Sequence, residues 1–177
     1  MKKYILLLIL TSINLSYSQV DPLDVEIVRD NFGVPHIYGK TDADVAYGLA
    51  WSHAEDDFKT IQQGYLAGNG LLSKHIGIKG AGADFLTQLI ESKETVDRLF
   101  NTLDSDFVKI IEAYSQGLNK YAETHPNEIL EKKLFPITPK KMTAYSFLQL
   151  FIANEADKLV LSIINNKVPR ENPFKDD

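Results

Sequence analysis

The stretch of residues 25–58 constrains the fold most, because two strand patterns and a helix pattern follow one another there without a gap. Residues 25–29 are rich in β-branched side chains, which favour strands. Residues 34–38 form a second extended run. Asn31 and Gly33 lie between the two runs and tolerate a positive φ, so the sequence predicts a β-hairpin with a tight turn.

A helix pattern follows the second strand pattern and begins after Thr41. Thr41 and Asp44 have the spacing of a capping box, in which each side chain bonds the backbone N–H of the other residue. Beyond them, small and apolar residues recur three and four positions apart and predict one buried helix face. The residues of this face are Ala43, Ala46, Tyr47, Ala50, His53, Ala54 and Phe58. Because most of them are small, we expect a neighbouring element to approach closely.

A glycine-rich segment and two further helix patterns occupy the middle of the chain. Residues 71–82 are rich in glycine and are interpreted as a loop. Residues 83–100 favour a helix that breaks near Ser92. The next helix has Asp104 or Ser105 as its N-cap and ends where a His-Pro pair interrupts the pattern.

The last predicted helix begins after Thr143 and carries an apolar face. The residues of that face are Ala144, Phe147, Leu148, Phe151, Ile152, Glu155, Leu159 and Ile163. A buried carboxylate must be paired, hydrogen-bonded or protonated, so Glu155 calls for an explanation. Two functional interpretations place Glu155 in the wall of a substrate pocket or beside a cation of another chain. Two structural interpretations give it an ion pair with Lys158 or a solvent-facing position at a turn.

The predicted fold class is therefore α+β: a mostly helical chain with a short β-hairpin. Two strands are too few to form a stable sheet of their own, and several helices carry wide apolar faces. We expect the chain to be part of a larger fold. The polar, proline-containing residues 169–177 are interpreted as the start of a linker.

Composition excludes several classes of function. The chain has 177 residues and a net charge of −5 spread over both signs, which does not favour binding to nucleic acid. It contains no cysteine, which excludes disulfides, thiolate metal sites and a cysteine nucleophile within this chain. Its four histidines have no metal-binding spacing, so the sequence predicts neither a metal site nor a cofactor.

The N-terminal residues 1–18 have the layout of a secretory signal peptide. Lys2 and Lys3 are followed by an apolar core, and Ser16 and Ser18 stand at the positions that favour cleavage before Gln19. A membrane anchor is the alternative, but polar residues interrupt the apolar run before the length needed for spanning. We expect a periplasmic or secreted mature protein with no membrane span after cleavage.

Two polar features of the first helix have competing interpretations. His53 is a candidate ligand or base, although a buried histidine bonded to backbone is favoured because no partner motif accompanies it. Glu55, Asp56 and Asp57 point in different directions on a helix and cannot all converge on one ion. We expect them to have a structural role, such as pairing with an arginine of a partner chain.

Residues 29–58, RDNFGVPHIYGKTDADVAYGLAWSHAEDDF, resemble the opening of the penicillin acylase family, and most of all its acyl-homoserine-lactone and aculeacin acylase branch. The resemblance extends more loosely through residues 117–121 and so covers most of the chain after the leader. It implies an N-terminal-nucleophile amidohydrolase whose precursor is cut into a small α chain and a larger β chain. Residues 19–168 resemble the α chain only.

The resemblance also implies the mechanism and the partner. In this family the nucleophile is a Ser, Cys or Thr exposed at the N-terminus of the β chain, usually followed by Asn. Since no Gly-Ser-Asn, Gly-Cys-Asn or Gly-Thr-Asn occurs here, this chain is expected to hold no catalytic residue. The implied complete fold is a four-layer αββα sandwich formed as a heterodimer with the β chain, and the implied substrate is a small N-acyl compound.

The family's late α-chain helix lines the acyl side of the substrate pocket. The resemblance thus implies candidate substrate-binding residues on the last predicted helix, namely Phe147, Leu148, Phe151, Glu155 and Leu159. Some relatives hold a structural calcium ion, mostly through the β chain, and none is expected to be bound by this chain alone. Two rival hypotheses remain: a stand-alone helical binding module of the periplasm, and an inactive truncated fragment.

Overall fold

A computed structural model describes residues 20–167 of the chain. The predicted signal peptide, residues 1–18, and the predicted linker, residues 169–177, lie outside the described residues. The predicted fold class is confirmed at the level of secondary structure, because the described residues are mostly helical and include a two-stranded sheet. Within residues 20–167, no helix combines the length and the apolar character needed to cross a membrane.

The predicted β-hairpin is confirmed. Strands β1 (Glu26–Arg29) and β2 (Pro35–Tyr38) are antiparallel, and Ile27 lies opposite Ile37. These two isoleucines are partly buried against the helix that follows. At Gly48 of that helix a Cβ atom would lie 2.6 Å from Ile37 Cγ2, so only glycine lets the hairpin pack this closely.

Helix α1 (Asp42–Gly68) starts as predicted and bends once. The Thr41 hydroxyl accepts the Asp44 N–H while Asp44 Oδ2 accepts the Thr41 N–H, which completes the capping box. The helix is interrupted at Asp57, whose φ and ψ are −159° and 72°. The Asp57 carboxylate accepts the N–H of Thr60 and so caps the second half of the helix as a new N-terminus.

The remaining helices are α2 (Leu72–Ile76), α3 (Ala81–Leu89), α4 (Ser92–Leu99), α5 (Ser105–Thr124), α6 (Pro139–Ala153) and α7 (Ala156–Ile164). The predicted break in the segment 83–100 is confirmed, since Glu91 adopts a left-handed conformation between α3 and α4. The cap of α5 is Asp104, whose carboxylate accepts two N–H groups of the first turn.

The interpretation of residues 71–82 as a loop was wrong. This segment contains α2 and a 3-10 turn, Gly77–Gly80. The first amides of α2 are hydrogen-bonded by a residue of another helix. The buried carboxylate of Asp84 in α3 accepts the N–H groups of Leu72 and Ser73 at 2.8 Å each. Local glycine content could not reveal a cap that stands on another helix.

The prediction of one long last helix was also wrong. Helix α6 begins at Pro139 with Thr138 as its N-cap, and Thr143 lies inside it. Proline is well suited to the first helical position, because its fixed φ is already helical and its missing N–H is not needed there. The helix ends before Glu155, whose φ of 65° separates α6 from α7.

The largest buried cluster lies between α1, α5 and the segment that leads into α6. It includes Ala50, Ala54, Phe58, Leu66, Leu118, Tyr121, Leu134 and Ile137. The predicted inner face of α1 is confirmed for its buried residues Ala46, Tyr47, Ala50, Ala54 and Phe58, and Ala43 is partly buried. His53 is the exception, because it is exposed at the edge of this face.

Candidate functional site

The structure brings two of the predicted site residues together on α6. The rings of Phe147 and Phe151 are one helical turn apart and meet edge to face, with centroids 5.3 Å apart. Both rings are partly buried. Leu148 is fully buried in a separate cluster with Leu86 of α3 and Val160 of α7. The aromatic pair can thus contribute to an apolar wall, while Leu148 holds the helices beneath it.

The other two predicted residues lie at and beyond the helix break. Glu155 is exposed and its carboxylate lies 2.5 Å from the ammonium group of Lys158, which confirms the ion-pair and turn interpretation of this residue. It does not share an apolar face with Phe151, because the left-handed residue redirects the chain. Leu159 is half-exposed on α7. The periodicity predicted one continuous apolar stripe through both residues, and the break at Glu155 interrupts it.

Apolar side chains are exposed on both sides of this break, and Leu150 and Leu161 among them were not on the predicted apolar face. The exposed large apolar residues of α6 and α7 are Leu150, Ile152, Leu159, Leu161 and Ile163. Large contiguous apolar surfaces on soluble proteins mark interaction sites or ligand-binding grooves. The sequence run Leu-Gln-Leu-Phe-Ile, residues 148–152, indicates such exposure, because four apolar residues in five cannot all fit one buried helix face.

An arginine of β1 joins the hairpin to α1. The Arg29 guanidinium lies 3.0 Å from Glu55 Oε2 and 2.9 Å from Asp56 Oδ1, and it also donates to the carbonyl oxygen of Gly33 at 2.8 Å. The hydrogen bond to Glu55, together with the nearby charge of Asp56, raises the pKa of Arg29. The expected arginine partner of the acidic cluster is thus present in this chain, and the expectation that a second chain supplies it was wrong.

The turn between β1 and β2 is organised by Asp30. Its Oδ1 atom accepts the N–H groups of Phe32 and Val34 at 2.9 Å each, and its Oδ2 atom lies 3.4 Å from His36 Nε2. The backbone of Asp30 contributes as well, since its carbonyl oxygen accepts the N–H of Gly33. The hydrogen bonds from Val34 and Phe32 lower the pKa of the Asp30 carboxyl group.

The order of this turn should depend on pH. Because folding lowers the pKa of Asp30, its stabilising effect is complete above the unfolded value of about 3.9 and is lost as the pH falls through the lower folded value. We expect the amide resonances of Phe32 and Val34 to titrate with a midpoint below about 3.9 in an NMR pH series. Replacing Asp30 with asparagine should abolish that transition at both amides. An unshifted midpoint would contradict the prediction.

His53 takes part in a hydrogen bond with Tyr114 of α5. Its Nδ1 atom lies 2.8 Å from the Tyr114 hydroxyl. Burial raises the pKa of Tyr114 to about 12, so the phenol keeps its proton at neutral pH, and the tautomer of His53 decides which of the two groups donates. The favoured interpretation of His53 as a buried histidine bonded to backbone was wrong.

Among residues 20–167 no group of three His, Asp or Glu side chains could hold a metal ion.

The fold of the chain is that of a solved acylase. It superimposes on a chain of the structure of thermostable Penicillin G acylase from Alcaligenes faecalis with a TM-score of 0.63 and 19% sequence identity. The superposition covers 80% of this chain and 79% of that chain. This similarity covers most of both chains.

The family follows from the sequence. The model of the penicillin amidase family matches residues 24–171, and the chain belongs to this family. Penicillin G acylase of Escherichia coli is 22% identical over 140 residues, which are 76% of this chain and 16% of that protein. Acyl-homoserine lactone acylase PvdQ of Pseudomonas syringae pv. syringae (strain B728a) is 24% identical over 103 residues, 54% of this chain and 13% of that protein. The resemblance found in residues 29–58 is thus confirmed, and this chain spans about a sixth or less of these relatives.

Proposed function

We propose that this chain is the α-subunit portion of a secreted or periplasmic acylase that hydrolyses the linear amide bond of a small N-acyl compound. Penicillins and N-acyl-homoserine lactones are the substrate classes in the names of its relatives. The single observation that carries the proposal is the family match across residues 24–171. In this proposal the nucleophile and the oxyanion donors belong to a β chain of the same precursor.

The lengths of the relatives support the division into two chains. The matched segment is 16% of the Escherichia coli protein, whereas the matched chain of the solved Alcaligenes faecalis structure is nearly as long as this chain. A short separate chain therefore exists in one relative and a much longer protein in another. The β chain would complete the four-layer sandwich and bind this chain as a heterodimer.

Helix α6 contributes the acyl side of the substrate pocket in this proposal. The edge-to-face pair Phe147 and Phe151 offers partly buried aromatic surface of the kind that binds an acyl chain. Leu148 would fix the position of α6 from the core, and Glu155 and Leu159 would reach the pocket only from the α7 side of the helix break.

The proposal is tested by reading the gene beyond the codon for Asp177 and expressing the whole frame. We expect a Gly followed by Ser, Cys or Thr and then Asn within a few tens of codons, and a purified two-chain product. That product should release free amine from penicillin G or from N-acyl-homoserine lactones of graded chain length. Conversion of the predicted nucleophile to alanine should abolish the release.

The rival hypotheses give different results in the same experiment. An inactive fragment would show no β-chain frame after Asp177. A stand-alone binding module would also lack that frame, and residues 19–177 would unfold in one cooperative transition and remain monomeric. Either result would overturn the acylase proposal.

A further inference from the structure

Phe32 stands at the tip of the hairpin almost entirely in solvent. Its exposed fraction is 92%, the highest among the large apolar side chains whose burial the structure describes. A phenylalanine in this position buries almost no surface within its own chain, so it contributes little to the stability of the hairpin. Large exposed aromatic side chains are typical anchors of protein interfaces.

The backbone that carries Phe32 is held by several hydrogen bonds from Asp30 and Arg29. The Asp30 carboxylate accepts the N–H of Phe32 itself and that of Val34. The Arg29 guanidinium donates to the Gly33 carbonyl oxygen and is fixed to α1 through its acidic partners. A side chain presented on a rigid turn loses less conformational entropy on binding than one on a mobile loop.

The apolar surface continues from the tip along the outer face of the sheet. Side chains alternate along each strand, and Ile27 and Ile37 face α1. The opposite face carries the exposed Val28 and Tyr38, which lie opposite His36 and Glu26, and the exposed Val34 precedes β2. Exposed apolar side chains on both strands of one face offer surface that another chain can cover.

The observations favour a β chain over a second copy of this chain as the cover. In a symmetric dimer each residue of the patch meets the same patch on its partner. Glu26 lies on this same outer face, opposite Tyr38, so a second copy would bring a further carboxylate to the surface in a chain whose net charge is already −5. The chain spans only 16% of its Escherichia coli relative, which leaves a large polypeptide to supply a complementary surface.

We propose that Phe32 anchors this chain to the β chain by inserting into an apolar pocket there, while the outer face formed by Val28, Val34 and Tyr38 is covered by β-chain residues. This inference rests on the proposed two-chain acylase. It adds the surface through which the two chains recognise each other.

The test uses the two processed chains, separated in urea and reassociated, with binding measured by surface plasmon resonance. Phe32→Ala and Phe32→Asp should each raise the dissociation constant by at least about 30-fold, the effect of an interface hot spot. Asn31→Asp is the control, because it adds the same charge at the neighbouring exposed position and leaves the aromatic ring. We expect it to change the dissociation constant less than about threefold.

Two further measurements keep the outcome unambiguous. The circular dichroism spectrum of the Phe32 variants should equal that of the unmodified chain, since the removed ring is exposed. A photoreactive phenylalanine analogue at position 32 should crosslink to the β chain. Unchanged binding of both Phe32 variants, or crosslinks between two copies of this chain, would overturn the inference while leaving an active acylase intact. Failure of the unmodified chains to associate would overturn the proposed function as well.

Discussion

Replacing Gly117 with alanine is expected to lower the free energy of unfolding by about 3 kcal/mol, the upper part of the range for overpacking a closed contact. Helices α1 and α5 are in direct contact at this residue. A Cβ atom on residue 117 would lie 2.4 Å from the carbonyl oxygen of Tyr47 and 2.9 Å from Ala50 Cβ. The first neighbour is backbone and cannot rotate away, so the two helices would have to separate.

Urea unfolding of the assembled two-chain protein, followed by circular dichroism at 222 nm, measures this change. Gly82→Ala is the matched control, because Gly82 also lies in a helix but has no atom within 4 Å of the position of a new Cβ. Alanine there should raise the free energy of unfolding by up to about 1 kcal/mol, since glycine is the weaker helix former. Equal effects of the two substitutions would show that helix propensity, and not the approach of α5 to α1, decides the result.

Replacing Gln62 with leucine should destabilise the chain by about 2 kcal/mol, because it leaves two partly buried backbone groups without their side-chain partners. The amide of Gln62 is fully buried in α1. Its nitrogen donates to the Glu128 carbonyl oxygen at 3.0 Å, and its oxygen accepts the Leu130 N–H at 2.8 Å. These two bonds attach the segment after α5 to α1.

The same urea titration measures the effect, and hydrogen exchange at the Leu130 amide locates it. Gln63→Leu serves as the control, because Gln63 is the neighbouring residue of the same helix and only partly buried. We expect Gln63→Leu to change the free energy of unfolding by no more than about 0.5 kcal/mol. Fast exchange at Leu130 with unchanged global stability would mean that the segment opens locally. Slow hydrogen exchange at the Leu130 amide in the Gln62→Leu variant would contradict the prediction.

The elements that were predicted correctly are those whose signals lie within a few residues of one another. The hairpin required only β-branched runs on both sides of Asn31 and Gly33, and the start of α1 required only Thr41 and Asp44. The cap of α5 at Asp104 is equally local. The two caps bond groups at most three positions apart, and the strands of the hairpin are joined by a short turn that holds them adjacent, so local sequence specifies these elements.

The errors fall where a distant residue decides the local structure. Helix α2 forms in a glycine-rich segment because Asp84, more than ten residues away, bonds its first amides. The site on the last helix was only partly predicted. Phe147 and Phe151 meet as a one-turn spacing allows, but Glu155 belongs to a helix break that periodicity alone does not show.

The sequence by itself determined the family, the hairpin, the capped helices and the alanine-rich inner face of α1, because local backbone preference and side-chain spacing set them. Only the tertiary structure showed that Arg29 of this chain pairs with Glu55 and Asp56, and that Gly117 lets α5 approach α1. It alone revealed that Phe32 stands in solvent on a rigid turn. These features depend on which surfaces meet in space, and periodicity along one element carries no information about its neighbours.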